Sequence, residues 1–345
     1  MSRRIPSLDY LKIVLAAGVV LGHAILIDDR IVGWSFLVGN GVLRSLVPTF
    51  SVLSGYCLHV TMARGKAGRW LAGLTLVYLF WTAFYAPIWL KSVSGAGDAL
   101  WFVLWGPMHL WYVSGLILSG LLLVGFVRLE RRIGGGLGPM LVVALVLALA
   151  GSAVSFWSFL GHHAITLEWY RNGLTVIFPF SAAGYALAEL VARRGREALP
   201  RAGVLWAVTV GVFALKTLEA WFDMRGFGIS AQALPDVPLL AYPAAVLLFL
   251  AFLRLDLPQL RVNLSLWSSS IYFLHIFVIL GLRHLGLTGV GPYWLAGVVL
   301  PILGAMGLER GLRLLPRRGR RSGAGGAAVA ASRPAVGPLG AGIRG

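Results

Sequence analysis

Five short stretches hold the residues able to do chemistry. The first, LDYLKIVLAAGVVLGH at residues 8–23, sets a carboxylate, an ammonium and an imidazole (Asp9, Lys12 and His23) into an otherwise apolar run. Lys12 and His23 are eleven residues apart, which on a helix is about 1100°, roughly 20° past three full turns, with a rise of about 16 Å. They share one face, near opposite ends of the segment. Asp9 precedes Lys12 by three positions, so those two can pair on that face. Ionisable groups inside membrane helices face a bundle interior or a wet cavity, and a histidine in such a place suits proton transfer. The plainer alternative has Lys12 snorkelling to headgroups and His23 ending the span. It accounts for Lys12 and Asp9, but not for His23 sharing their face.

In GPMHLWYVSGL, residues 106–116, Pro107 breaks the chain just before an apolar run. Trp111 and Tyr112 suit an interfacial aromatic belt, which leaves His109 unexplained at the level of His23. LEWYRNGLTVIFPFSAAGY, residues 167–185, sets Glu168, Arg171 and Asn172 at the mouth of another span, with Pro179 inside it. An Arg–Asn pair there is either solvated or binds an anionic or sugar hydroxyl group. SLWSSSIYFLHIF, residues 265–277, puts Tyr272 and His275 three apart on one face, where a satisfied core histidine is the competing reading. RGKAGRW, residues 64–70, gathers Arg64, Lys66 and Arg69, as an ordinary cytoplasmic loop also would. His162 and His163 are adjacent but lack companion ligands, so no metal is expected.

The elements that must position these residues are membrane helices. The 345 residues are 58% hydrophobic and only 12% charged, with a mean hydropathy of +0.81. A soluble domain carries about 25% charged residues. Apolar runs near the 20-residue length that crosses a bilayer recur along the chain. The expectation is an all-α polytopic membrane protein of about ten transmembrane helices, at about 8–27, 45–63, 71–90, 108–127, 139–157, 172–190, 203–221, 238–253, 267–285 and 292–311. Of the 30 Lys and Arg, only Arg30, Arg44, Lys91, Arg171, Arg225 and Arg283 fall in the odd-numbered loops. Lys12 and Lys216 lie within spans, which leaves 22 for the other side and the tail. That asymmetry places both termini in the cytoplasm. The net charge of +17 therefore reads as topology and contact with anionic lipid; no nucleic-acid partner is expected.

The first span is expected to be retained, because no convincing small-residue cleavage site follows it and further spans do. Cys57 is the single cysteine, so no intramolecular disulfide forms. Residues 1–315 form the membrane domain. Residues 316–345, rich in Gly, Ala, Pro and Arg, read as a disordered basic cytoplasmic tail. With no soluble catalytic domain expected, the chemistry belongs in the membrane.

Taken together, these stretches resemble the membrane acyltransferase 3 family, ten-helix O-acyltransferases of bacterial surface polysaccharides, over roughly residues 5–312. Leu8-Asp9, Lys12 and His23 match the family's opening Leu-Asp, basic residue and His, although the basic position is often Arg. Ser54–Tyr56, Arg69, His109-Leu110-Trp111-Tyr112, Arg171-Asn172 with Pro179-Phe180 and Gly184-Tyr185, and Tyr272 with His275 follow in the family's order.

The resemblance implies transfer of an acetyl or other acyl group from acyl-CoA, a co-substrate rather than a tightly bound cofactor, to a hydroxyl of an extracytoplasmic carbohydrate at the bacterial inner membrane. It implies that Lys12, Lys66 and Arg69 receive the CoA phosphates, with Asp9 keeping Lys12 charged. His23 becomes the general base, and His109 or Arg171 steadies the oxyanion or the sugar. Asn172, Tyr272 and His275 join Arg171 at the acceptor. A covalent acyl intermediate on a histidine or on Cys57 is conceivable, and nothing in the sequence requires one. Two other classes remain open. A transporter or flippase also carries ionisable residues in its spans, although around one midplane site with broken helices. A non-catalytic sensor on the same fold is the third, since fold does not fix function.

Overall fold

The computed structural model describes residues 5–28, 33–160, 165–226 and 238–314. The helices among them are α1 (Pro6–Ile27), α2 (Gly33–Gly41), α3 (Leu46–Ala63), α4 (Ala67–Phe84), α5 (Ala86–Trp89), α6 (Ala96–Trp105), α7 (Trp111–Ile133), α8 (Gly138–Leu160), α9 (Phe178–Arg194), α10 (Ala202–Gly226), α11 (Ala241–Leu253), α12 (Leu264–His284) and α13 (Val290–Leu314). No strand occurs among the described residues. Two compact units divide the chain, Met1–Met306 and Gly307–Gly345; the described part of the second is the last turns of α13. The tail at 316–345 and His162, His163, Arg30 and Asp236 lie outside the described residues.

Each of the ten expected spans falls on a helix. Eight segments among the described residues are long and apolar enough to cross a membrane, and α4 with the α5 region makes a ninth if a 50° bend is allowed. Pro87 sits in the first turn of α5; its ring lacks an N–H and clashes with the preceding turn, which breaks the helix there. The tenth, α11, has 13 residues and is about 20 Å long. The chain is an all-α polytopic membrane protein. The short apolar helices α2 and α6 were not expected, because each lies in a stretch too brief to read as a span.

Side-chain size sorts the lipid face from the bundle face. On α8, Ala144, Ala148, Ser152 and Ser155 are buried while Val142, Leu145, Val146 and Leu149 are exposed. The small residues recur every three or four positions, one face of a helix. In hydrocarbon, association depends on close packing, which small residues allow. Helices α3 and α9 take this furthest. A Cβ added at Gly55 would lie 1.9 Å from the Ser181 carbonyl oxygen, and one at Gly184 would lie 1.9 Å from that of Val52. The two backbones touch, and only glycine fits at either point.

Candidate active site

Helices α1 and α12 run parallel and are pinned together twice. Lys12 Nζ donates to Asp9 Oδ1 at 2.9 Å and to Ser265 Oγ at 3.1 Å, and Ser265 Oγ donates to the same Asp9 oxygen at 2.9 Å. Eleven residues beyond Lys12 and ten beyond Ser265, His23 meets His275, with 3.2 Å between His23 Nδ1 and His275 Nε2. The two rises, about 16 Å and 15 Å, match. The face shared by Lys12 and His23 is thus the seam with α12. The lysine is a clamp at one end of that seam, with its side chain 27% exposed.

Hydrogen bonding fixes the tautomers of the pair. His275 Nδ1 lies 2.7 Å from the Tyr272 carbonyl oxygen and 3.0 Å from that of Ile271. Carbonyls only accept, so His275 Nδ1 carries the hydrogen and its Nε2 is a lone pair when the ring is neutral. His23 Nδ1 lies 3.0 Å from the Val19 carbonyl oxygen, so it too carries the hydrogen and shares it with His275 Nε2. The remaining nitrogen of His23, Nε2, is then basic. An imidazole oriented through one nitrogen and basic at the other is the arrangement that general-base catalysis uses.

A third imidazole arrives on the turn before α7. Gly106 has a φ of 93°, and Met108 one of 55°; a Cβ at Gly106 would lie 2.5 Å from Trp111 Cα. This turn brings His109 to 4% exposure, its ring centroid 5.1 Å from that of His275 and 6.5 Å from that of His23. Tyr85 and Tyr272 close around it at 5.1 Å and 5.4 Å. Their hydroxyls are engaged elsewhere, Tyr85 donating to the Phe273 carbonyl and Tyr272 to the His109 carbonyl, both at 2.6 Å. Neither ring nitrogen of His109 has a hydrogen-bond partner among the described residues.

A cavity of about 160 Å³ opens beside His23, walled by Arg44, Arg171, Trp111, Asn40 and Ser35 among others. The Arg171 guanidinium lies 5.1 Å from the centre of the Trp111 ring, a cation–π distance. Burial lowers the Arg171 pKa while Glu168 and Tyr170 act against that shift. Arg44 Nε points at Asn40 Oδ1 at 3.4 Å. Behind Asn40, the wholly buried Lys216 donates to its backbone carbonyl. Arg44 and Trp111 were not selected from the sequence: one reads as a loop charge, the other as an aromatic belt. The Asn40–Arg44 spacing of four was the available signal.

The other selected residues are spread out. Both amide hydrogens of Asn172 go to the Glu168 and Trp169 carbonyls, and its oxygen caps Leu174, Thr175 and the π-helical turn Gly173–Ile177. That leaves it shaping the loop that carries Arg171, with no hydrogen to offer an acceptor. Lys66 and Arg69 are exposed at the start of α4, away from the cavity. No group of three His, Cys, Asp or Glu that could hold a metal occurs among the described residues.

No curated protein and no solved structure matches the chain. The profile of a family described as "Acyltransferase domain" matches residues 5–310, which takes in the α1–α12 seam, the histidine cluster and the cavity. The chain belongs to that family, acyltransferase 3, and is a membrane acyltransferase.

Proposed function

We propose that the chain moves an acetyl or other acyl group from acyl-CoA to a hydroxyl of an extracytoplasmic carbohydrate, in the cytoplasmic membrane of a bacterium. The observation that carries this reading is His23: on the cavity wall, oriented through Nδ1 by Val19 and His275, with Nε2 left basic. The acceptor hydroxyl gives its proton to His23 Nε2 as its oxygen attacks the thioester carbonyl. The C–S bond breaks, and the CoA thiolate takes the proton back from the imidazolium. The charge on the tetrahedral oxygen needs a donor aimed at it; Arg171 and the unpartnered ring of His109 are the candidates.

Lys66, Arg69 and Lys12 supply cations for the CoA phosphates at the cytoplasmic end. The pantetheine arm then covers the rise of about 16 Å from Lys12 to His23. Acyl-CoA is a passing substrate here. Of the acceptor residues selected from sequence, Arg171 keeps that role. His275, Tyr272 and Asn172 become positioning residues for His23, His109 and Arg171 respectively.

The test is transfer of labelled acetyl from acetyl-CoA to membrane-associated glycan, with expression matched by immunoblot. His23→Ala should lower transfer about 10²–10⁴-fold, the usual contribution of a general base, while the protein still inserts and binds acyl-CoA. His109→Ala should lower the rate less and raise the acceptor requirement. Near-normal transfer by His23→Ala would move the base to another residue, and acetyl-CoA left intact by the native protein would favour a transporter.

A further inference from the structure

The cavity beside His23 has two guanidiniums on its wall, and its described lining includes no Asp or Glu. Arg44 comes from the segment between α2 and α3, and Arg171 from the loop before α9, so two distant parts of the chain converge there. Trp111 lies under Arg171, and Asn40 meets Arg44 Nε. A buried lysine, Lys216, stands behind Asn40 with no exposed surface. The carboxylates of Glu168 and Glu219 act on Arg171 and Lys216, and both arginines make further contacts. Among the described lining residues, the charged side chains are the two guanidiniums. The oxyanion needs a single donor, which the ring of His109 can supply, so transfer to a neutral sugar gives the pair of guanidiniums no use.

We infer that this cavity takes an acidic acceptor, a sugar unit bearing a carboxylate, which Arg44 and Arg171 hold so that a neighbouring hydroxyl faces His23. Guanidinium forks match carboxylates in two-point geometry, which sets orientation as well as affinity. The cavity's volume corresponds to on the order of ten waters, the scale of one sugar ring rather than a nucleotide. The inference rests on the acyltransfer reading for its consequence, but the binding it asserts stands apart from catalysis.

The experiment has a binding arm and a transfer arm. In the binding arm, D-glucuronate, D-glucose and succinate are titrated against the full chain in detergent, followed by thermal stabilisation. Glucuronate should bind at least tenfold more tightly than glucose, equivalent to about 1.4 kcal/mol, and more weakly as salt rises. Arg44→Gln and Arg171→Gln should each erase that preference; Arg44→Lys, which keeps the charge without the fork, should retain part of it. Equal affinities for glucuronate and glucose would overturn the inference, as would succinate binding more tightly than glucuronate, since that puts the charge on the acyl group. In the transfer arm, a uronate-containing glycan is compared with the same glycan after its carboxyls are reduced to alcohols. The acidic form should show at least a tenfold lower apparent KM, and equal use of both forms would overturn the inference. Glucuronate preference without transfer to either glycan would sustain the acidic site and overturn the acyltransfer reading instead.

Discussion

His275 shows what a residue's type and spacing convey and what they omit. In the sequence it stands beside Tyr272 on one face, which suggests two polar groups turned toward a ligand. In the structure its Nδ1 is engaged by two carbonyls and its Nε2 by His23, so in the proposed reaction it acts on the acceptor only through His23. The 9–12–23 pattern was legible because helical geometry is local. The partner 252 positions away was not, because nothing local encodes which helices become neighbours. A neutral acceptor at His275 Nε2 is all that orienting His23 requires. His275→Gln can supply one and should keep kcat within about tenfold of the native value, whereas His275→Leu should lower kcat about a hundredfold and shift its pH profile, with KM for acyl-CoA unchanged in both; the size is that of a general-base contribution. Steady-state kinetics across pH separates orientation from mere packing: if the Gln and Leu variants lose activity equally with native pH profiles, His275 is a filler of the seam.

At the scale of elements, the α1–α12 seam and the α3–α9 contact do different work. The seam is held by polar groups at two levels, and its lower knot couples Lys12 to both Asp9 and Ser265. The family resemblance implies a ligand role for Lys12; the structure adds a structural one. Neutralising both charges separates the two. Asp9→Asn with Lys12→Met leaves no unpaired charge in the seam, so the double variant should reach the membrane at native levels and still bind acyl-CoA at least tenfold more weakly, while Lys12→Arg keeps most of the affinity. Isothermal titration with acyl-CoA checks this, and unchanged affinity in the double variant would leave Lys12 as a clamp alone. The α3–α9 contact has one polar pair, His59 Nε2 with Glu189 Oε2 at 2.7 Å, and where the backbones touch it depends on the absence of atoms. Gly55→Ala or Gly184→Ala would place a methyl carbon 1.9 Å from a carbonyl oxygen, far inside van der Waals contact, so the helices must part. Each should reduce folded protein in detergent by at least severalfold, a backbone shift that costs about 1–3 kcal/mol, as fluorescence-detected size exclusion would show. Gly203 or Gly211, with open space around each, should accept Ala without loss. Glycine in SGY and AGY was visible in the sequence, but the carbonyl across from each was not.

For the whole molecule, hydropathy and charge already sort the loops into two sets, and contacts sort them again without reference to either. Tyr10, near the start of α1, donates its hydroxyl to the Pro258 carbonyl. Arg196 pairs with Asp256 and reaches the Leu253 carbonyl, while Arg254 reaches that of Pro200. The start of α1 and the α9–α10 and α11–α12 loops therefore share one end of the bundle. At the other end, Arg283 reaches the Ile27 carbonyl, and Arg171 lies against Trp111. These are the groupings that the excess of Lys and Arg assigns to the inside and the outside. The informative case is α11, whose length of about 20 Å falls short of a hydrocarbon core about 30 Å thick. Length alone argues that it does not cross, which would put Arg201 and Arg261 on opposite sides. The ties between residues 196–201 and 253–256 argue that α10 and α11 go out and return as a pair, with the bilayer thinned or the gap made up by the flanking chain. Reporter fusions after Arg132, Arg201 and Arg261 should all report the cytoplasm, and one near Asp98 the outside. If Arg201 and Arg261 report opposite sides, α11 is a re-entrant element and the second half of the topology inverts.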